Sequence, residues 1–401
     1  IGNTAALVIY NNHFGNATGW IKTSAPYLVK QGNDGQLHTQ NLAQALRLPE
    51  NREGFLVMRD QVSRKSYLRP MHEVHEKGLY FALNAYERMV LTDFHVAYGE
   101  QYAQLHRHLQ GRGVDNLEAS LDELQLQPLL HALDATLQNL GNVYHSQTVD
   151  DKLIYIEQSI DQWRALNKIS QSMIGAVDDD QEPVLKEMRA LIEALKTLKY
   201  YQEKEESKLE ISEISDTFIQ AFSKEITQTP SKRAYLLSYA FISRLCGSIY
   251  DANRFQQTLH LLNKEQVRSR IYEHFRSIGL PIDKIHEYFV NMRWQIAQLH
   301  TMSLDELADH PLYLEKQLKN QDFRQALVIN EHEGIEWFNK EAFQTMLWHM
   351  RYIPSLELLA HKPPQAAMDK SLTTLDELIT DLTESETQSE YQIEKLISGL
   401  K

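Results

Sequence analysis

This sequence has very little cysteine, no long hydrophobic run and a shortage of basic residues, and each absence excludes something. Its one cysteine, Cys246, lies inside an apolar stretch, so an internal disulfide or a cysteine-based zinc site cannot form. No apolar run approaches the about 20 residues of a membrane-spanning helix, and no signal peptide is recognisable. Acidic residues outnumber basic ones by 54 to 41, a net charge of −13. We therefore expect a cytoplasmic protein with no nucleic-acid and no membrane partner, and a buried, unreactive Cys246.

The first 98 residues have the pattern of a small antiparallel β-sandwich. Runs of apolar, β-branched and aromatic residues between turn-forming residues predict six strands. They are Ala5–Tyr10, Gly19–Ser24, Gly54–Asp60, Ser66–Arg69, Leu79–Leu83 and Arg88–Phe94. We expect the last two to pair as a hairpin around the polar corner Asn84–Glu87, and a short helix at Leu42–Leu48. Six short strands in under a hundred residues are typical of a sandwich.

From residue 99 onward the apolar residues recur every three or four positions, which predicts a large helical domain over residues 99–360. Leu153, Ile156, Ile160 and Trp163 form one such stripe. The polar run at 178–183 predicts a sub-boundary. Residues 361–401 are expected to be a hinge followed by an acidic helical tail, which the excess of acidic residues would leave loosely held. The expected fold class is therefore α+β, mostly α.

We find no residue pattern that predicts a metal, a cofactor or a catalytic group. The pairs His72 with His75 and His106 with His108 lack the spacing and the third ligand of a metal site, so we interpret them as ordinary histidines. No glycine-rich phosphate loop and no Gly-x-Ser-x-Gly elbow occurs. We therefore expect no cofactor, no metal and no catalytic residue in this chain.

One local segment, Val328–Glu341, has two interpretations. In the first it is a corner between helices, where Gly334 ends one helix, Trp337 and Phe338 fill the gap and Asn339 caps the next. In the second, Asn330, Glu331 and Trp337 form a binding patch at that corner. The first interpretation is the one we favour.

Three stretches together resemble the region behind the catalytic barrel in large bacterial α-amylase-like proteins of glycoside hydrolase family 13. They are NTAALVIYNNHFGNATGWIKTSAPY, GLYFALNAYERMVLTDF and the turn GRGVDNL. The family's pattern is an asparagine-rich turn followed by Gly-Trp-Ile, then Gly-Leu-Tyr and Leu-x-Ala-Tyr. The matching residues here are Asn11, Asn12, Gly19, Trp20, Ile21, Gly78, Leu79, Tyr80, Leu83, Ala85 and Tyr86. The segment VINEHEGIEWFNKE is similar to a later part of the same region.

The resemblance implies the non-catalytic C-terminal part of such an enzyme, because this chain lacks the barrel and its carboxylates. Arg59-Asp60 lies in a short hairpin with no following helix, and no His-Asp dipeptide occurs. The catalytic residues of the family therefore have no counterpart here, and whether the chain is itself an enzyme is left open. Since it begins at Ile1 without a methionine, we also expect it to be part of a longer polypeptide.

The expected function is that of an accessory region of an α-glucan-acting glycoside hydrolase or transglycosylase. Its expected partner is the upstream catalytic barrel of the same polypeptide, with α-glucan as a secondary ligand in some members. Trp20, Tyr80 and Tyr86, with Tyr27, are the aromatic residues that suit either role. Strand alternation favours an outward Trp20 that the barrel would cover. The alternatives are an independent helical scaffold that binds other proteins and, third, an acid–base enzyme.

Overall fold

Helices account for 63% of the chain and strands for 14% in a computed structural model, which describes residues 5–31, 34–173, 180–201, 212–299 and 304–400. These proportions confirm the predicted class, mostly α with antiparallel strands at the N-terminal end. Within those ranges, no helix is both long enough and apolar enough to pass through a bilayer. The chain divides into two units, Ile1–Gln127 and Pro128–Lys401.

The first unit holds the strands that precede the long helices. Its strands are β1 (Leu7–Tyr10), β2 (Ala17–Ile21), β3 (Tyr27–Gln31), β4 (Asp34–His38), β5 (Phe55–Asp60), β6 (Ser66–Pro70), β7 (Leu79–Leu83) and β8 (Arg88–Ala97). Its helices are α1 (Leu42–Ala45), α2 (Met71–Lys77), α3 (Glu100–Leu109) and the beginning of α4 (Leu117–His145). The six predicted strands and α1 are present, β7 with the predicted ends and the others with shifted ends. The β3–β4 hairpin and α2 are additional elements.

All strand pairs in this unit are antiparallel, but their partners differ from the prediction. One sheet has four strands in the order β1-β8-β5-β6, and β2 pairs with β7 and β3 with β4 in two separate ribbons. The predicted hairpin between β7 and β8 is wrong. Tyr86 adopts a positive φ of 57°, and the backbone N–H of Asn84 donates to the Glu87 carboxylate over 2.7 Å. This tight corner sends the chain from the β2–β7 ribbon into the four-stranded sheet.

Both faces of the strand β5 are buried, and this explains its nearly continuous apolar sequence FLVM. On one face, Leu56 and Met58 join a core with Leu79 and Phe81 of β7. On the other face, Val57 joins a second cluster. That cluster contains Leu68, Leu105, Leu109 and Leu117 from β6, α3 and the beginning of α4. The predicted domain boundary at 98/99 therefore lies inside the first unit, because α3 and the start of α4 complete its core.

In the residues that the structure describes, the second unit is helical apart from one small hairpin. After the remainder of α4 come α5 (Val149–Met173), α6 (Glu182–Tyr200), α7 (Glu213–Gln228), α8 (Pro230–Ile242), α9 (Ala252–Leu262), α10 (Glu265–Ser277), α11 (Ile285–Leu299), α12 (Leu304–Ala308), α13 (His310–Gln317), α14 (Gln321–Ala326), the strands β9 (Asn330–His332) and β10 (Ile335–Trp337), α15 (Lys340–His361), α16 (Gln365–Gln388) and α17 (Ile393–Ser398). A short 3₁₀ turn, Ile282–Lys284, precedes α11.

The acidic tail is not loosely held. The turn between α15 and α16 falls where the hinge is predicted, and Lys362 there has a positive φ of 46°. Beyond it, Leu375, Leu378 and Leu382 are buried in a core with Trp294. The apolar stripe of α16 thus outweighs the charge of its exposed face, and residues 361–401 belong to the second unit.

The predicted sub-boundary at 178–183 does not separate two bodies. Its residues 178 and 179 lie outside the described residues. Immediately after them, the Gln181 side chain donates to the carbonyl of Arg164 over 3.1 Å and to the side-chain oxygen of Asn167 over 3.0 Å. These bonds connect the beginning of α6 to α5, so both helices form part of one unit.

Candidate functional site

The β2–β7 ribbon places Trp20 and Tyr80 side by side on its outer face. The two residues are directly opposite in the strand register, and their ring centroids are 5.4 Å apart with the planes tilted by 58°. Trp20 is 46% exposed and Tyr80 44% exposed. The Nζ atom of Lys77 lies 5.4 Å from the centroid of the Trp20 ring. The outward orientation expected of Trp20 is therefore confirmed.

Strand alternation explains why these two aromatic residues face outward. The side chains of Leu79, Phe81 and Leu83 on β7 are buried, and the positions between them are exposed. A shift of one residue in this strand would bury Tyr80 and expose three core residues, so the register is strongly determined.

A second aromatic pair lies in the two turns that connect this ribbon to its neighbours. Phe14, in the asparagine-rich turn before β2, contacts Tyr86 edge-on at a centroid distance of 5.7 Å. Both rings are largely exposed. The buried side chain of Asn11 holds the turns together, because its amide donates to the carbonyls of Gly15 (2.7 Å) and Asn84 (2.9 Å). We call Phe14, Trp20, Tyr80 and Tyr86 the aromatic surface.

Exposed large apolar side chains are concentrated in the first unit. Among the described residues, eleven of the twenty-two such side chains belong to it, although the second unit has more than twice as many residues. Besides the aromatic surface they include Val8 and Tyr10 on β1, and Leu28 and Leu37, which are opposite each other in the β3–β4 ribbon. Exposed apolar groups in this density are typical of a surface that contacts another molecule.

The structure places the other predicted site residues in a hairpin of the second unit, where it brings two of the three together. Asn330 and Trp337 are opposite each other in the β9–β10 pair, and Glu331 is opposite Glu336. Asn330 and Glu331 are exposed and Trp337 is half-buried. Among the described residues, no ring is stacked on Trp337. Tyr27 is on β3 and is not part of the aromatic surface.

The interpretation of this segment as a structural corner is right in part. Phe338 is buried in the main core of the second unit, and the Asn339 side chain caps α15 by accepting from the N–H of Ala342 over 2.9 Å. Gly334, however, ends no helix, because α14 already ends at Ala326. With φ values of 54° and 78°, Glu333 and Gly334 form the tight turn of a hairpin instead.

A buried charge network in the second unit has no counterpart among the predicted sites. The side chain of Arg244 is 0% exposed and that of Glu357 is 4% exposed. The Nη2 atom of Arg244 donates to both carboxylate oxygens of Glu357, at 3.1 and 2.9 Å. The phenols of Tyr239 and Tyr250 also donate to this carboxylate, at 2.8 and 3.0 Å. The sequence feature that could have indicated this network is an arginine inside the apolar run FISRLCGSI.

The groups of this network satisfy one another and leave no open position for chemistry. The Glu357 carboxylate raises the pKa of Arg244 above its already high ordinary value, although burial alone would lower it. Burial is also the main reason that the pKa values of both phenols rise. Each charged oxygen therefore already has a donor, and a buried pair with this geometry is a structural element.

The described residues contain no cluster of side chains that resembles a metal site. In that part of the chain, no three histidine, cysteine, aspartate or glutamate side chains are close enough to hold a metal ion. His106 packs against the ring of Phe55 at 5.6 Å, and burial lowers its pKa. Cys246 is buried, as expected, and burial raises the pKa of its thiol to about 12.

Comparisons with known proteins add no relative to this picture. No family model, curated protein or solved structure matches the chain. A proposal about function therefore starts from the aromatic surface and from the resemblance described above.

Proposed function

We propose that this chain is an accessory region of an α-glucan-acting glycoside hydrolase or transglycosylase, and that its first unit packs against a catalytic barrel of the same polypeptide. The single observation that carries the proposal is the aromatic surface, three of whose four residues belong to the motifs on which the resemblance depends. Trp20, Tyr80 and Tyr86 belong to the matched Gly-Trp-Ile, Gly-Leu-Tyr and Ala-Tyr motifs.

The character of the aromatic surface supports docking to protein more than binding to sugar. A sugar site combines a flat aromatic ring with several hydrogen-bonding groups around it. Here the outward neighbours of Trp20 and Tyr80 on the ribbon are Thr18 and Ala82, and the two rings are tilted by 58°. Tyrosine and tryptophan are enriched at the centres of protein interfaces. We therefore propose barrel contact as the main role and α-glucan contact as a secondary one.

We also propose that the strands of the first unit form the two layers of a small β-sandwich. Support comes from the core shared by Leu56, Met58 and Leu91 of the four-stranded sheet with Leu79 and Phe81 of the ribbon. Side chains from two sheets that meet in one core are typical of this architecture.

Hydrogen–deuterium exchange tests the docking directly. The segments Ala17–Ile21 and Leu79–Leu83 are compared in this chain alone and in a longer polypeptide that includes the region encoded upstream. We expect slower exchange in both segments when a barrel is present. The double variant Trp20→Ala/Tyr80→Ala should remove that protection, while Tyr98→Ala, an equally exposed tyrosine of the same unit, should preserve it. Equal exchange in the two proteins would refute docking through this surface.

The activity of the isolated chain provides a second test. Because the barrel and its carboxylates are missing, it should not cleave starch, maltodextrin or an aryl α-glucoside. Turnover that disappears when one carboxylate within residues 1–401 is mutated would refute the accessory role. Calorimetric titration with maltoheptaose should show weak or no binding.

A further inference from the structure

Four helices of the second unit, α4, α5, α6 and α8, surround a pocket of about 310 Å³. Three of them contribute four lining residues each at the spacing i, i+3, i+4 and i+7, which places these residues on one helix face. The series begin at Val149 on α5, at Ile192 on α6 and at Pro230 on α8, and Val143 and Tyr144 of α4 complete the lining. The pocket is therefore enclosed by one face of each of three helices and by the last turn of the fourth.

Ten of the fourteen lining residues are apolar or aromatic, and the buried ones are aliphatic. Ile156, Ile192 and Leu237 are buried and form the base, whereas Val149 and Leu153 are 54% and 42% exposed and mark the opening. Protein interiors normally contain few voids larger than one water molecule. Water in this space would contact mainly hydrocarbon, so a molecule that replaces it with apolar surface gains binding free energy.

The four lysine and arginine residues of the lining do not give the pocket a free positive charge. The Nζ atom of Lys196 is 2.7 Å from the carboxylate of Glu193, and Lys152, Lys199 and Arg233 each interact with another group of the chain. Their aliphatic stems can meanwhile lie along the apolar wall. The lining therefore selects a ligand by its size and apolar surface and not by its charge.

We infer that this pocket binds an uncharged aliphatic molecule of about eight to ten carbons that carries at most one polar group. A volume of this size is about twice that of an engineered apolar cavity that takes benzene, and this ratio sets the number of carbons. The hydrocarbon part contacts the buried base. A hydroxyl or carbonyl oxygen lies at the opening beside Val149 and Leu153, where water reaches it.

The chemistry of the lining separates this ligand from the alternatives. An α-glucan needs many hydrogen-bonding partners, which an aliphatic lining does not offer. A charged amphiphile gains no new partner for its head group, because each cation of the lining already has one, and moving that head group out of water costs free energy. The inference is independent of the proposed function, which concerns the aromatic surface of the first unit.

Titration calorimetry on the 401-residue chain tests the inference with 1-hexanol, 1-heptanol and 1-octanol below their solubility limits. We expect one site, an affinity that rises about fourfold per added methylene, and a negative heat-capacity change on binding. Octanoate and octyltrimethylammonium should each bind at least about threefold more weakly than 1-octanol. If none of the three alcohols binds, the inference is wrong. Octanoate that binds more tightly than 1-octanol, and loses affinity in sodium chloride, would overturn the assignment of an uncharged ligand.

Two matched pairs of variants locate the site. Leu153→Glu places a carboxylate at the opening and should weaken 1-octanol binding at least about tenfold. Ile154→Glu changes the next residue, which is also exposed but does not line the pocket, and should leave binding unchanged. Ala234→Leu fills part of the pocket and should weaken binding about tenfold without lowering the urea midpoint, whereas Ala190→Leu, at a half-buried alanine of α6 outside the lining, should not weaken it.

Equal effects on 1-octanol binding within either pair would overturn the inference. Sedimentation of the unmodified chain and of Leu153→Glu tests the remaining alternative, that a second copy of the chain covers the pocket. We expect the same oligomeric state for both proteins. A dimer of the unmodified chain that Leu153→Glu dissociates would show that the pocket is part of an interface between copies, and the small-molecule site would then be wrong.

Discussion

The buried pair of Arg244 and Glu357 allows the sharpest prediction about stability. Glu357→Gln preserves the shape of the side chain but removes its charge, and it places an amide donor where Arg244, Tyr239 and Tyr250 all donate. Because Arg244 is fully buried, its charge would keep only the partial compensation of Glu187, whose carboxylate is 3.2 Å from its Nε. Breaking a buried ion pair of this kind costs about 3 to 5 kcal/mol of unfolding free energy.

The matched control is an ion pair of similar length on the surface. Arg189 contacts Glu157 at 3.1 Å, but their side chains are 48% and 59% exposed. Solvent screens such a pair, so Glu157→Gln should cost less than about 1 kcal/mol. The double variant Arg244→Met/Glu357→Leu should be less damaging than Glu357→Gln, because it leaves no lone charge in the interior.

Urea unfolding of the whole chain, followed by circular dichroism, measures the difference. With a slope of about 2 to 3 kcal/mol per molar urea, Glu357→Gln should lower the midpoint of the second unit by about 1 to 2 M. Hydrogen exchange in α8 and α15 assigns the change to that unit even if the two units unfold separately. If Glu357→Gln shifts the midpoint no more than Glu157→Gln, the network does not have the energetic weight assigned to it.

Three further predictions follow from burial. Trp20→Ala should lower the stability of the isolated chain by only about 1 kcal/mol, through its ring contact with Tyr80; a loss of about 3 kcal/mol or more in urea unfolding would mean that Trp20 is a core residue. Burial lowers the pKa of His274 to about 4 and of His349 to about 3, below the ordinary value near 6.5. Both are therefore neutral in the folded protein, and their contribution to the free energy of unfolding is fully present above pH 6.5. Below that pH the free energy of unfolding should fall by about 1.4 kcal/mol per pH unit per histidine toward pH 4, because the unfolded chain binds the protons. Equal urea midpoints at pH 7 and pH 5 would contradict this. Cys246 should not react with a thiol reagent in the native protein at pH 8 but should react fully in urea, and rapid native labelling would show that the site opens.

Local patterns in the sequence were sufficient for six of the eight strands of the first unit and for the orientation of Trp20, but they missed β3 and β4. Alternation along Leu79–Leu83 indicates which side chains are buried, whatever the strand pairs with. The partner strands are not a local property. β7 pairs with β2 instead, and the side chain of Asn11 bonds to the carbonyl of Asn84, 73 residues away in the sequence. A sequence-adjacent hairpin was the natural expectation, and only the distant contact excludes it.

The buried network could not be predicted from the sequence because its members are distant in the chain. Arg244 and Glu357 are 113 residues apart, and nothing near Glu357 indicates a buried carboxylate. For the tail, residues 361–401, the sequence did contain the deciding local pattern, but the net charge was given more weight. Its net charge suggested weak packing, yet the spacing of Leu375, Leu378 and Leu382 decides its burial.

The uneven distribution of exposed apolar groups also affects how copies of this protein associate in concentrated solution. At neutral pH the net charge of −13 keeps copies apart, but that repulsion disappears near the isoelectric point of about 5.7. Sulfate and similar salts both screen charge and strengthen apolar attraction. Under such conditions copies would first associate through the first unit, where Val8 and Tyr10 lie on β1, which is an edge strand of its sheet among the described residues. An edge strand with exposed apolar side chains is a template for adding strands from other molecules, so concentrated samples are best kept alkaline and low in salt.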